Sequence, residues 1–109
     1  MAKSKGFNMK TLHLVLKSKW FDKIASGEKT SEYRACTPYW NKRFCGWADI
    51  TNIHGPNLQH NWYSSVVFHR GYTNQTMEFK IKKYIDITTE PNDLGLDKCW
   101  EIKLGERLK

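Results

Sequence analysis

The densest group of chemically capable side chains is the run Gly27-Glu28-Lys29-Thr30-Ser31-Glu32-Tyr33-Arg34. In an extended chain, side chains two residues apart point to the same side, so Glu32 and Arg34 share a face. Lys29 sits just before them, at a corner marked by Gly27. Strict alternation would send Lys29 to the opposite face; only a redirecting corner brings it to the same cleft. Two chemistries suit a lysine, a glutamate and an arginine that converge. Lys29 and Arg34 hold an anion while Glu32 accepts from an amino group, or Glu32 activates water while a cation stabilises the oxyanion. The plain alternative is a charged edge strand with surface ion pairs.

A second group follows. Tyr39 and Trp40 stand beside Lys42 and Arg43, and aromatics interleaved with cations suit single-stranded RNA, whose bases stack and whose phosphates pair. The same two rings also suit anchoring a short helix to a core. Arg70-Gly71-Tyr72 reads as a turn at a strand end, with Arg70 and Tyr72 as further binding candidates. His69 beside them is a candidate acid–base group or a structural histidine. Cys36, Cys45, His54 and His60 lack the short spacings that preorganise a tetrahedral zinc site, so no metal or other cofactor is expected.

The elements that must position these groups are legible in outline. Thr11 to Lys17 alternates, with Leu12, Leu14 and Leu16 on one face, and reads as a half-buried strand. Ser18 is placed to cap a helix over Lys19 to Ser26, with Trp20, Ile24 and Phe21 toward the core, and Gly27 ends it. A strand over Thr30 to Arg34 follows directly. Thr37-Pro38 opens a second short helix reaching about Phe44. Residues 45–61 read as a long loop and Trp62 to His69 as a strand. Met77, Phe79, Ile81, Ile85 and Ile87 share one parity and predict a single long strand, bulged at Lys83. A loop over Thr89 to Lys98 and a closing strand from Cys99 to Leu104 complete the chain. Residues 1–10 read as a flexible basic lead-in and 11–109 as one domain. The order gives an α+β class, mostly β. It implies a small barrel of about five to six strands with two flanking short helices, not a doubly wound sheet.

Composition narrows the classes. The chain has 109 residues with 39% hydrophobic and 14% aromatic residues, enough to form a core and too many for wholesale disorder. No apolar run approaches the ~18 residues of a membrane span, so no membrane partner is expected. An odd, dispersed set of three cysteines fits a reducing, cytoplasmic setting. The net charge is +7, and its location matters more than its size. Residues 1–45 carry ten Lys/Arg against three Asp/Glu, which is the whole excess; the remainder carries eight of each. A one-sided basic excess suits a polyanion.

The pattern Gly27-x-Lys29-x-x-Glu32-x-Arg34 resembles the G-x-K-x-x-E-x-R signature of ASCH domains, a branch of the PUA-like superfamily. Trp20-Phe21-Asp22-Lys23-Ile24, Thr37-Pro38-Tyr39-Trp40, Phe68-His69-Arg70-Gly71-Tyr72 and Trp100-Glu101-Ile102-Lys103-Leu104-Gly105 extend the resemblance over about residues 11–105. It points to the small single-domain members of bacteria and phages. The resemblance implies a PUA-like β-barrel with the motif lining a cleft, and an RNA or nucleoside ligand. Some members of the family remove the acyl group from N4-acylcytidines and others are linked to RNA cleavage. The amidohydrolase branch carries a threonine three residues after its lysine; here that position is Glu32. Its later acidic helix has no counterpart between Tyr72 and Lys98. The resemblance therefore implies an RNA- or modified-nucleoside-binding protein. The alternative it leaves is a small hydrolase of N4-acylated cytidine or of RNA acting through Lys29 and Glu32.

Overall fold

The computed structural model describes residues 10–46, 48–49 and 63–109. The element order is β1 (Lys10–Leu16), α1 (Ser18–Ala25), β2 (Ser31–Ala35), α2 (Pro38–Cys45), β3 (Tyr63–Arg70), β4 (Thr76–Ile81), β5 (Asp86–Thr88) and β6 (Cys99–Arg107). The six strands form one curled half-barrel sheet, with two short helices: an α+β fold that is mostly strand. The expected loop over residues 45–61, with His54 and His60, falls almost wholly outside the described residues, as does most of the expected lead-in.

Strand order is β1-β3-β4-β6-β2, with β5 also paired to β6. β1 and β3 run parallel, while every other pair is antiparallel. β6 is long and serves three partners, with β5 paired along Cys99 to Glu101. Cys99 to Lys103 pairs with β2, whereas Leu104 and Arg107 pair with β4. The sheet therefore curls around β6 but does not close, and β1 and β2 are left as its two ends. They face each other across a seam that α1 spans in sequence.

Alternation explains the core. Leu12, Leu14 and Leu16 from β1 meet Val66 and Phe68 from β3, Met77, Phe79 and Ile81 from β4, and Trp100 and Ile102 from β6. Phe21 and Ile24 from α1 and Phe44 from α2 cover this layer. Each large side chain buried in this way contributes about 1.5–3 kcal/mol before the entropy of ordering it is subtracted. Trp100 is fully buried, and its indole N–H donates to Asn41 Oδ1 at 2.9 Å. The Asn41 amide in turn donates to the carbonyl of Ala48 at 2.8 Å, so this buried polar residue ties α2 to β6 and to the chain that follows the helix.

Several expectations need correction. Ser18 is the first residue of α1, not its cap: Lys17 occupies that position in extended backbone, and no side chain caps the helix N-terminus. β1 starts at Lys10, inside the expected lead-in. The expected long strand over Met77 to Ile87 is two strands. Lys83, at φ 62, turns the backbone through the left-handed region between them, a conformation disfavoured for a residue with a Cβ. Ile85 stays buried across this break, which is why parity alone could not reveal it. The other helix signals hold. Thr37 Oγ1 accepts from the Trp40 amide at 3.3 Å with Pro38 in the first turn, and Gly27 lies at φ 85 after α1.

Candidate functional site

The seam between β1 and β2 is a cleft of about 230 Å³. Val15, Leu16 and Lys17 form one side, Glu32, Tyr33 and Arg34 the other. Trp20 of α1 and Asp93-Leu94 of the β5–β6 loop complete it, with Lys29 between them. A second, more open cleft of about 430 Å³ adjoins the first and shares Trp20, Lys29, Tyr33 and Asp93 with it.

Register explains why charged groups lie inside. In β2, Glu32 is opposite Ile102 and Arg34 opposite Trp100, two core residues of β6. Cross-strand partners share a face. Glu32 and Arg34 therefore stand on the core side of the sheet, where a strand of this kind would normally present apolar residues. Lys29 joins them because the chain tightens after α1: Gly27 N–H donates to the Ile24 carbonyl at 3.1 Å and Lys29 N–H to the Lys23 carbonyl at 3.0 Å. The corner thus overrides strict alternation and brings Lys29, Glu32 and Arg34 together.

Their pairing is dense. Lys29 Nζ lies 3.4 Å from Glu32 Oε1 and also donates to Asp93 Oδ2. Arg34 donates to Glu32 Oε2, and to the Tyr33 carbonyl at 2.9 Å. The Lys29 and Glu32 side chains are only 9% and 8% exposed, so both charges depend on these partners for compensation. The Lys29 ammonium also lies 5.3 Å from the centre of the Trp20 ring and 5.0 Å from that of Tyr33, close enough for both rings to attract it. Lys19 and Lys23 lie near the same Trp20 ring, at 4.7 and 5.7 Å. Burial, with the nearby Glu101 carboxylate, pushes the Tyr33 phenol above its usual range.

The site continues onto α2. The Arg34 guanidinium lies 5.3 Å from the centre of the Trp40 ring, and Arg43 lies 5.6 Å from the same ring and 5.7 Å from Tyr39. Trp40 stacks on Phe44 of the same helix with centroids 5.4 Å apart and packs, partly buried, against the core, so helix anchoring accounts for part of its role. Tyr39 is exposed. Arg43 donates to the Tyr39 hydroxyl at 2.8 Å and to the Tyr63 hydroxyl at 3.4 Å. Burial opposes the Arg43 charge, but these bonds outweigh it and raise its pKa. Lys42 is exposed on the same helix.

Two candidates stand apart. Arg70 is held by Asp22 through two hydrogen bonds of 3.0 Å and does not line the cleft. Tyr72 is fully exposed on its turn and does not line it either. Sequence reasoning missed Trp20, Tyr33 and Asp93. Helical spacing placed Trp20 in the core beside Ile24, whereas it packs on the core's edge and lines both clefts. Asp93 belongs to a loop more than sixty residues from Lys29 in sequence, and no local signal links the two.

No family model, curated protein or solved structure matches the chain. No helix among the described residues is long and apolar enough to cross a membrane.

Proposed function

We propose that the seam cleft captures one unpaired base of an RNA, or a modified nucleoside, while α2 holds the adjoining backbone. The observation that carries this reading is the convergence of Lys29, Glu32 and Arg34 in a cleft bounded by Trp20 and Tyr33. A flat, apolar ligand with a polar edge fits such a site: rings contact its faces, and Glu32 accepts from an exocyclic amino group. Lys42 and Arg43 on α2 would meet phosphates. The concentration of the basic excess in residues 1–45, the resemblance of Gly27–Arg34 to the ASCH signature and the thiols suited to a reducing cytoplasm support the same reading.

Hydrolysis through Lys29 and Glu32 is the weaker reading. Both Glu32 oxygens are already engaged by cations, and Lys29 is engaged by two carboxylates. Taking a proton from water would leave Glu32 neutral between Lys29 and Arg34, whereas accepting a hydrogen bond leaves both ion pairs in place. Fluorescence anisotropy with labelled single-stranded RNA octamers at low salt tests the binding reading. Wild type should bind, with affinity falling steeply as salt rises, and Lys29→Ala should weaken binding at least tenfold. Absence of binding at low salt, or binding untouched by Lys29→Ala, overturns it.

A further inference from the structure

His13 and His69 stand on the outer face of the parallel β1–β3 pair, and neither lines the cleft. Register sets His13 opposite Val67 and Val15 opposite His69, so the two rings meet diagonally across adjacent strands. His13 Nδ1 and His69 Nε2 are 3.0 Å apart, with ring centroids 5.3 Å apart and planes inclined by 40°. In this contact one ring nitrogen donates and the other offers a lone pair. Two imidazole nitrogens side by side on a rigid strand pair form the donor set of a chelate.

The spacing is compatible with a shared metal. With metal–nitrogen bonds of roughly 2.0–2.1 Å, a 3.0 Å separation subtends roughly 91–97° at the metal. That is near the cis angle of tetragonal or octahedral coordination, and along the divalent series Ni²⁺ and Cu²⁺ are the ions that nitrogen sites bind most strongly. Each nitrogen's lone pair would have to turn by roughly 45° from the line joining the two, for metal–nitrogen bonds of that length. The exposed position of the pair permits that rotation. No group of three or more His, Cys, Asp and Glu side chains among the described residues gathers to hold a metal. Glu78, opposite Val67 on the same face, accepts the Ser65 hydroxyl at 2.8 Å. Water would therefore fill the remaining coordination positions.

We propose that His13 and His69 form a two-imidazole site for a late first-row divalent cation, Cu²⁺ or Ni²⁺, with open positions and exchangeable metal. Binding the second imidazole is intramolecular once the first has bound, so loss of either ring should weaken affinity by about tenfold or more. The test is calorimetric titration of the untagged full chain with NiCl₂ in a non-coordinating buffer. Nickel is chosen because Cu²⁺ would oxidise the thiols. One Ni²⁺ should bind per chain. His13→Ala and His69→Asn should each weaken it at least tenfold, and His54→Ala/His60→Ala should leave it unchanged. Paramagnetic broadening should fall first on the ring protons of His13 and His69. Absence of a site in wild type, variants within twofold of wild type, or broadening centred on other histidines or on cysteines overturns the proposal.

Discussion

The basic half of the chain holds two groups of cations that the structure treats in opposite ways. Lys29 and Arg34, at the seam, face two carboxylates, Glu32 and Asp93, so these four charges balance one another, with exposed Lys17 also lining the cleft. On α2, Arg43 meets rings and phenol oxygens, and Lys42 is exposed; among the described residues no carboxylate is paired with either. A sum over sequence counts the two groups alike. The fold makes one a structured polar pocket and the other a surface for anions. In the proposed reading, the seam would recognise a base and the helix would attract a backbone.

The largest expected effect tests the buried half of this contrast. Glu32→Ala leaves Lys29 and Arg34 without their shared partner, and breaking a buried pair costs about 3–5 kcal/mol. Urea unfolding should show a loss near the lower end, because Asp93 still engages Lys29. Arg43→Ala should cost about 1–2 kcal/mol, near the lower end of the range for hydrogen bonds from a charged donor. Equal losses at the two positions would erase the contrast.

The next effect sharpens it in binding. Arg43→Ala and Lys42→Ala should each lower RNA affinity and flatten the dependence of log K on log salt by about 0.7. Asp93→Asn, which removes a carboxylate from the cleft, should instead tighten RNA binding several-fold. Anisotropy titrations between 50 and 200 mM salt, roughly the range over which counterion release is most visible, read both results.

The smallest effect concerns a pair outside both regions. Two hydrogen bonds from Arg70 hold the Asp22 carboxyl below its ordinary value of 3.8. A carboxylate lowered in the folded state adds stability above its unfolded pKa and loses it as the pH falls through the folded one. The stability gap between wild type and Asp22→Asn should be present at neutral pH and close as the pH drops below that ordinary value. A gap that persists in acid would assign the difference to something other than this ion pair.

Particular residues show why the sequence disclosed part of this and not the rest. Leu12-x-Leu14-x-Leu16 and Thr37-Pro38 announce their elements because alternation and capping are local. The same-face placement of Glu32 and Arg34 follows from strand geometry alone. That this face is the core side depends on pairing with Trp100 and Ile102, almost seventy residues away. Asp93 reaches Lys29 only through the loop before β6. Lys83 hid a strand break because the apolar parity continues across it. The resemblance of Gly27–Arg34 to the ASCH signature named three of the cleft's charged residues. It could not show that a fourth, Asp93, neutralises the cluster.

The most direct measurement uses the indole N–H signals of ¹⁵N-labelled protein on addition of a single-stranded RNA octamer. Trp20 lines the cleft, Trp40 stands beside Arg34 and Arg43, and Trp100 is sealed in the core with its N–H on Asn41. The signals of Trp20 and Trp40 should move, that of Trp100 should not, and a duplex of the same sequence should leave Trp20 in place. RNA that shifts Trp40 without Trp20 would contradict base capture in the seam, and RNA that shifts neither would contradict the account as a whole.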